Sequence, residues 1–363
     1  MYLGENLSKV KTILDELVVG EDENKILLYL SLIKGQSIIV RGDTSTGKNR
    51  LCDSVLSLFP AESIFEITSG TAKILRWLDT DYIDILYLRE VRMSAFEFSE
   101  SQTETPLFFD IKQAMSDKTL KIAFVQNLKG VNQTAYKILR IHSILQTTSE
   151  YNLNEDIENR AWILTTDSST AQTKRVLQYK ARRRQNINFK TISDEELFRE
   201  VKKLTSEKLN DKRRISIPFA DMIVERLCQR KSRLQPRMRR DIDKFFDLIE
   251  SIAHVNSNRS VATEEDLQIA VELSSKVFKY MISYLDSRLL SVFDAFQKIE
   301  NENLVVTASD LARELCISQT DARRKLRALI ASGLVEESGR GARGVILYNS
   351  LSSIQNLIED LFI

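Results

Sequence analysis

A glycine-rich segment near the amino terminus has the residues and spacing of a phosphate-binding loop. It reads GDTSTGKN from Gly42 to Asn49, follows the apolar run Ser37–Val40 and precedes a helix-compatible stretch from Leu51 to Leu56. Backbone N–H groups of such a loop, together with the positive end of the next helix, hold the phosphates of a nucleotide. The alternative is an ordinary strand-to-helix turn. The predicted nucleotide-binding residues are Gly42, Asp43, Thr44, Ser45, Thr46, Gly47, Lys48, Asn49 and Arg50.

Two further residues that could take part in catalysis, Arg89 and Glu90, follow the apolar run Ile83–Leu88. Nucleotide hydrolysis needs a carboxylate to orient water, a magnesium site and a cation that neutralises charge in the transition state. Glu90 can polarise water and is the predicted catalytic carboxylate; the alternative is a solvated glutamate at a strand end. Arg89 cannot hold magnesium, and Asn49 offers an amide oxygen where a Ser or Thr hydroxyl is expected. The predicted magnesium ligands are therefore Asn49, a weak one, and Glu90, which leaves hydrolysis open.

Short apolar runs that alternate with helical patterns predict an α/β domain over residues 1–185. Such alternation is typical of a parallel sheet covered by helices on both faces. The segment 118–139 departs from it and is predicted to form an inserted β-hairpin around Asn127–Gly130. The predicted core strands are Ser37–Val40, Ser63–Ile67, Ile83–Leu88, His142–Thr147 and Ala161–Thr165.

The remaining sequence contains two regions with different secondary-structure patterns. Residues 186–285 show amphipathic helical patterns throughout and are predicted to form a helical domain. Residues 286–363 predict three helices followed by two strands around a Gly- and Arg-rich turn, which is the order of a winged helix. The predicted helices of this last domain are Leu290–Ile299, Ser309–Leu315 and Gln319–Ser332.

Composition indicates a globular protein without a strong global charge. The chain of 363 residues has a net charge of +1, with 43% hydrophobic and 28% charged residues. Any nucleic-acid binding must therefore use local patches. Three scattered cysteines and two histidines predict neither a disulfide framework nor a histidine-rich metal site. The apolar run Ile26–Ile33 is too short to span a bilayer, so we expect a cytoplasmic protein with no membrane contact.

The order of these motifs resembles that of AAA+ ATPases. Val19–Lys25 precedes the phosphate loop, and LYLRE, the inserted hairpin, ILQTTSE and IENRAW follow it. The hairpin and the winged helix narrow the resemblance to minichromosome-maintenance (MCM) helicases, and more closely to MCM-like helicase modules of mobile genetic elements, often fused to primase. The resemblance covers nearly the whole chain. It implies an α/β P-loop NTPase (AAA+) core with a helical lid and a C-terminal winged-helix domain.

The resemblance also implies roles for individual residues, with ATP and Mg²⁺ as cofactors. Lys48 would contact the phosphates and Glu90 would activate water. Thr147 or Thr148 would stand at the sensor 1 position against the γ-phosphate. Arg160 looks like an arginine finger offered to a neighbouring subunit, and Arg240 matches sensor 2 in the lid. The alternative for both arginines is a surface salt bridge.

The resemblance also implies contacts with nucleic acid. In MCM-like rings the hairpin points into the central channel, which would bring Lys129 and Lys137 to the DNA backbone. The basic stretch Lys174–Arg184 is either a further DNA-facing segment or a solvated linker. The winged helix could bind duplex DNA or dock a protein. Its candidate DNA contacts are Arg323, Arg324, Arg327, Arg340 and Arg343.

The sequence therefore predicts a ring-forming ATPase, a homo-oligomer and most simply a hexamer, that acts as a DNA helicase or translocase in replication of a mobile element or similar replicon. Single-stranded DNA in the channel, with primase or other replication proteins, would be its partners. The alternative is an ATP-gated DNA-binding switch, a replication initiator or transcription regulator with little hydrolysis. A helicase subunit that lost catalysis and acts only inside a mixed ring is a third interpretation.

Overall fold

The computed structural model describes residues 2–68, 75, 78–90, 106–128, 131–150, 153–185, 191–230, 237–282, 287–303, 305–331, 334–341 and 345–350. The chain divides into two compact units. The first comprises Met1–Asp221 and Gln235–Leu273, and the second comprises Met222–Leu234 and Ser274–Ile363. The first unit thus holds the sheet together with helices from the predicted lid region, while the three predicted domain boundaries stay a prediction.

A mostly parallel sheet is the centre of the first unit and confirms the predicted α/β class. Its parallel strands lie in the order β2-β3-β5-β1-β6, and β4 pairs antiparallel with β5 alone. Each predicted core strand is present. The strands are β1 Ile38–Arg41, β2 Ile64–Ile67, β3 Tyr82–Leu88, β4 Thr119–Leu128, β5 Val131–Thr148 and β6 Trp162–Thr165.

The inserted hairpin differs from its prediction in one respect. Its return strand and the predicted strand His142–Thr147 form one continuous strand of 18 residues, β5. The backbone stays extended because β5 is paired along its length. It pairs with β4 up to Arg140 and with β3 from Arg140 onwards. Ten paired residues give the hairpin a length of about 33 Å. The hairpin is therefore a direct extension of the central sheet.

Helices cover the sheet, and the helix α2 is buried on every face. Its side chains from Lys25 to Ile33 are all buried, as expected for a helix that is apolar all round. The buried ammonium of Lys25 is paired with Asp15 and Asp22. The first unit contains α1 Glu5–Leu17, α2 Asp22–Lys34, α3 Lys48–Leu56, α4 Pro106–Asp117, α5 Glu155–Glu158, α6 Thr170–Gln185, α7 Glu195–Asn210 and α9 Met238–Asn256. The division between the two units falls within α8 Ala220–Arg230 and within α10 Glu264–Ile282.

The second unit contains a small helical core with a three-stranded antiparallel sheet. The sheet order is β7-β9-β8. Thr307 and Asp310 form a capping box that fixes the start of the helix α12. Apolar side chains of three helices, including Phe296, Leu311 and Leu326, pack together beneath the sheet. The elements are α11 Ser287–Asn303, β7 Val306–Thr307, α12 Ala308–Glu314, α13 Gln319–Ala331, β8 Val335–Arg340 and β9 Ile346–Ser350.

None of the helices in the described ranges is both long enough and apolar enough to cross a membrane.

Candidate nucleotide-binding site

The phosphate loop lies at the carboxyl-terminal edge of the parallel sheet, between β1 and α3. Gly47 has φ +93° and Ser45 has φ +70°, so the chain turns sharply before α3 begins at Lys48. Gly47 is favoured at its position because only glycine adopts such a φ without strain. The N–H of Gly42 donates to the carbonyl of Thr148 at 3.3 Å, which ties the start of the loop to the end of β5. The loop is therefore anchored by the sheet at one end and by a helix at the other.

Thr166, just after β6, fixes the conformation of the loop and was not predicted. Its hydroxyl donates to Thr46 Oγ1 at 2.8 Å, and the Thr46 hydroxyl donates to the Asp43 carbonyl at 2.8 Å. A Cβ at Gly42 would lie 2.1 Å from Thr166 Oγ1, so the close contact requires glycine there. The sequence could have indicated Thr166 as a site residue, because polar residues at the carboxyl ends of parallel strands meet at one edge of the sheet.

Lys48 points back into the loop. Its ammonium donates to the carbonyl oxygens of Gly42 at 2.7 Å and Asp43 at 2.8 Å, and the side chain is only 7% exposed. An ammonium has three N–H donors, and these two bonds hold the charge at the centre of the loop. A phosphate seated in the loop would meet a cation that is already positioned.

Glu90 and Asn49 meet across the site. The Asn49 Nδ2 group donates to Glu90 Oε1 at 2.7 Å. Glu90 has φ +55°, a left-handed conformation that costs a non-glycine residue on the order of 1 kcal/mol. Its N–H donates to Thr147 Oγ1 at 2.9 Å, which helps to hold that conformation. The predicted catalytic carboxylate thus faces the first turn of α3.

Arg89 points away from the loop and joins two acidic side chains. It binds Asp53 through two hydrogen bonds, of 2.5 and 3.1 Å, and it binds Glu66 at 2.5 Å. Its guanidinium also lies 4.9 Å from the centre of the Tyr87 ring. Hydrogen bonds to both carboxylates raise the pKa of Arg89 above its already high value. Arg89 is therefore a structural cation that links α3, β2 and β3.

Replacing Arg89 with alanine should destabilise the fold by about 1.5–3 kcal/mol, because it leaves Asp53 and Glu66 adjacent without a cation. Urea unfolding followed by circular dichroism measures this loss. Arg50→Ala is the matched control, since Arg50 is an exposed arginine of α3 and, within the described residues, donates only to the Leu17 carbonyl. Equal unfolding midpoints for the two variants would contradict the structural role of Arg89.

Thr147 and Thr148, the two candidates for sensor 1, have partners within the chain. Thr147 is fully buried, and its hydroxyl accepts the hydrogen bond from the Glu90 N–H. The Thr148 hydroxyl accepts a hydrogen bond from the Glu150 N–H at 3.0 Å. Thr147 thus lies beside the predicted catalytic residue and positions its backbone.

Arg160 lies at the opposite edge of the sheet from the phosphate loop. It precedes β6, whose first residue, Trp162, pairs with Ile38 at the start of β1. The two four-residue strands alone separate the edges by about 13 Å. Arg160 Nε donates to Ser116 Oγ at 2.6 Å, and Nη1 forms an ion pair with Asp156 at 3.2 Å. Arg160 cannot reach the phosphate loop of its own chain from this position.

Arg240 is an exposed residue in the first turn of α9 and lies on the same side as Arg160. One turn later on the same helix face, Lys244 donates to the Ala161 carbonyl at 3.1 Å, next to Arg160. Burial lowers the pKa of Lys244 to about 8, and Asp241 opposes this shift. The predicted finger and the predicted sensor 2 therefore both lie towards the amino-terminal edge of the sheet, away from the other site residues.

The segment before the loop is tied to the same edge as the loop. Asn24 donates to the Thr165 carbonyl at 2.9 Å, and the Asp167 N–H donates to Glu21 Oε1 at 2.7 Å. Arg50, which was predicted to contact the nucleotide, instead donates to the carbonyl of Leu17 at 2.9 and 3.2 Å. Sequence reasoning missed Asn24 and Glu21 because their partners are distant in the chain.

Magnesium fits the site only together with phosphate oxygens. Asn49 Oδ1 is buried and has no hydrogen-bond partner in the described structure, so it remains as an oxygen donor beside the Glu90 carboxylate. In the same described ranges, no group of three or more His, Cys, Asp or Glu could hold a metal by itself. Mg²⁺ commonly binds one or two protein oxygens, several waters and substrate phosphates. Asn49 and Glu90 fit that pattern, whereas Arg89 contributes nothing to it.

The predicted nucleic-acid residues are distributed over both units. Lys137 is half-buried on β5, while Lys129 lies outside the described residues, as does Arg343. On α13, the buried face is formed by apolar residues such as Leu326, and its cations are on the opposite face. Arg324 pairs with Asp321 at 3.0 Å. The exposed predicted contacts of the second unit are Arg323, Arg324, Arg327 and Arg340.

Comparison with known proteins gives little further information. No protein-family model matches the chain, and no curated protein matches it. Among solved structures, the chain is similar to a crystal structure from Cytophaga hutchinsonii described as a "putative ATPase". The identity is 14% and the TM-score is 0.45, over 78% of this chain and 92% of that chain.

Proposed function

We propose that the protein is an AAA+ ATPase that forms a ring, most simply a hexamer, and moves along or unwinds DNA. Its place would be the replication of a mobile genetic element or similar replicon, like the MCM-like helicase modules that the sequence resembles. ATP and Mg²⁺ would be the cofactors. The helices of residues 186–285 would act as the lid, and the second unit would be a winged helix.

The observation that carries this proposal is the position of Lys48 and Glu90 at the same edge of the sheet, where Asn49, the residue after Lys48, contacts Glu90. The loop holds the ammonium between two carbonyl oxygens, and β3 delivers the carboxylate to the first turn of α3. In the proposed reaction Lys48 and the loop N–H groups bind and orient the phosphates. Glu90 then accepts a proton from, or orients, the attacking water. Bound Mg²⁺ would supply charge neutralisation at the phosphate oxygens.

The position of Arg160 and Arg240 supports catalysis between subunits. Both lie near the amino-terminal edge of the sheet, remote from the loop of their own chain. A site that lacks its transition-state cation is completed when a second copy presents that opposite edge. Head-to-tail contacts of this kind form a ring when the rotation from one copy to the next closes. A ring is therefore the simplest assembly in which every phosphate loop receives an arginine.

Three features support DNA as the partner. The hairpin of β4 and β5 extends about 33 Å, and its Tyr136 is 81% exposed, which suits stacking on bases. The helix α6 has six exposed cations and no acidic residue over Thr170–Gln185. Exposed arginines follow the outer face of α13 in the second unit. Phosphate contacts of this type bind DNA without sequence preference and weaken with salt.

A second candidate, an ATP-gated DNA-binding switch, is favoured by the contact between Asn49 and Glu90. While the Asn49 amide donates to Glu90, the carboxylate has one fewer lone pair for water. Arg89 also stands at the position where a carboxylate would otherwise fix a metal-bound water. Nucleotide could then bind tightly and turn over slowly, and the bound state itself would be the signal.

ATP hydrolysis with and without single-stranded DNA tests the proposal. We expect turnover by the wild-type protein that rises when DNA is added. Lys48→Ala should lower nucleotide affinity about 10- to 100-fold, since it removes a charge-assisted contact to the phosphates. A fluorescent nucleotide measures the affinity, and Lys203→Ala is the matched control, because Lys203 is an 80% exposed lysine of α7 outside the loop. Unchanged hydrolysis and unwinding by Lys48→Ala would overturn the proposal, whereas binding without turnover in the wild type would favour the switch.

A further inference from the structure

A polar cavity lies at the edge of the sheet opposite the phosphate loop. Its volume is about 190 Å³, and it is lined by the end of α2, by β5, by residues 211–215 and by α9. His142 lines it from β5, three residues before Leu145, which pairs with the first residue of β1. The cavity is therefore at the amino-terminal edge of the sheet, next to the base of the hairpin. Nothing in the proposed ATPase chemistry uses it.

Both histidines of the chain line this cavity. The Nε2 atom of His142 lies 3.2 Å from the Ile33 carbonyl, and that of His254 lies 3.1 Å from the Lys208 carbonyl. Because a carbonyl only accepts hydrogen bonds, Nε2 must carry the proton in each ring. The same bonds fix the orientation of the two rings.

The surroundings of the two histidines keep them neutral. Burial lowers the pKa of His142 to about 4, with Lys212 and Lys118 acting in the same direction and Asp84 opposing them. Burial also lowers the pKa of His254, with further contributions from Lys208 and Arg213, while Asp211 opposes them. Cations thus act on both rings in addition to burial. Four cationic side chains line the cavity, Lys34, Lys212, Arg213 and Arg214, against two carboxylates, Asp211 and Glu250.

Part of this positive charge has no carboxylate partner. Lys34 is paired with Glu250, and Arg213 is paired with Asp211. Lys212 donates only to the Leu209 carbonyl at 3.0 Å. Arg214 has no hydrogen-bond or ion-pair partner in the described ranges. Lys212 and Arg214 are both exposed, so the rim of the cavity is open to solvent and carries two uncompensated cations.

We infer that this cavity binds a phosphate group, either of a free phosphate ion or pyrophosphate or of a nucleic-acid backbone. An arginine fork and an ammonium are the donors that bind phosphate oxygens best. The volume is below that of the cavities that enclose drug-sized ligands, which suits a small anion or one group of a larger molecule. A metal ion is a poor alternative, since the described residues contain no cluster of three or more metal-binding side chains. This site does not depend on ATP hydrolysis.

The two histidines make the test direct. Labelling histidine with ¹³C gives only two ring Cε1 signals, and both report on the cavity. Adding inorganic phosphate or pyrophosphate at constant pH should shift both signals to saturation. A bound dianion favours the imidazolium form, so the pKa of His142 should rise from about 4. Sodium chloride at equal ionic strength is the reference.

Variants separate this site from the phosphate loop. The double variant Lys212→Gln/Arg214→Gln should weaken phosphate binding about 10- to 100-fold, and it should still fold because both side chains are exposed. Lys203→Gln, at an 80% exposed lysine of α7 that does not line the cavity, is the matched control. Lys48→Ala should leave the histidine response unchanged even if nucleotide binding is lost.

Each outcome decides the inference. Saturable shifts with phosphate or pyrophosphate identify a free anion as the ligand. Shifts with a thymidine oligonucleotide alone identify a backbone phosphate, and so also support the inference. No saturable shift with any of the three, or equal shifts with chloride, would overturn it. Equal affinities of the double variant and Lys203→Gln would overturn it as well.

Discussion

Glutamine in place of Glu90 should lower the rate of ATP hydrolysis about 10²- to 10⁴-fold, the usual contribution of a positioned general base. Glutamine has nearly the same shape and still accepts the hydrogen bond from the Asn49 amide, so the loop should keep its geometry. Nucleotide affinity should stay within a few-fold of the wild type. Steady-state hydrolysis and binding of a fluorescent nucleotide, measured side by side, separate these two effects.

Glu66→Gln is the matched control for Glu90→Gln. Glu66 lies one strand further from the loop and binds Arg89, so its substitution should lower stability while leaving the rate nearly unchanged. If Glu90→Gln hydrolyses ATP like the wild type, another group must orient the water. If both variants lose activity equally, the effect is structural, because Glu66 binds Arg89 and has no part in the proposed reaction.

The sequence predicted best those elements whose signal is local. Alternating strands and helices, the strand before Gly42 and the glycine at position 47 each follow from neighbouring residues, and the parallel sheet confirms them. The edge of the sheet at which Glu90 lies also follows from sequence, because the carboxyl ends of parallel strands share one edge. Burial of α2 was visible in its uninterrupted apolar run.

Features that depend on distant partners could not be predicted. Arg89 was expected only to weaken the magnesium site, but its hydrogen bonds with Asp53 and Glu66 give it a structural role. Asn49 was interpreted as a weak metal ligand, and its contact with Glu90 crosses 41 positions of sequence. Thr166 reaches Thr46 across 120 positions. No periodicity or motif encodes such pairs, because they arise only when the strands are placed side by side.

Arg160 is the residue expected to complete the nucleotide site of a neighbouring subunit. Arg160→Ala should lower ATP hydrolysis about 10³- to 10⁵-fold, equal to roughly 4 to 7 kcal/mol of transition-state stabilisation, if the side chain enters a neighbour's site. The substitution also removes its contacts with Ser116 and Asp156. Ser116→Ala is therefore the control, since it removes one of the two partners of Arg160 and keeps the guanidinium. Thermal melting of both variants shows whether the fold survives.

Mixing subunits tests whether Arg160 acts on a neighbour. Arg160→Ala retains its own phosphate loop, and Lys48→Ala retains its own arginine, so neither variant alone should hydrolyse ATP. In a ring assembled from equal amounts of both, about a quarter of the interfaces pair an intact loop with an intact arginine, and activity should return to that extent. Activity that stays absent although the two variants assemble together would mean that Arg160 serves only its own chain. Recovered activity can arise only at a shared site, because no single chain in the mixture contains both groups.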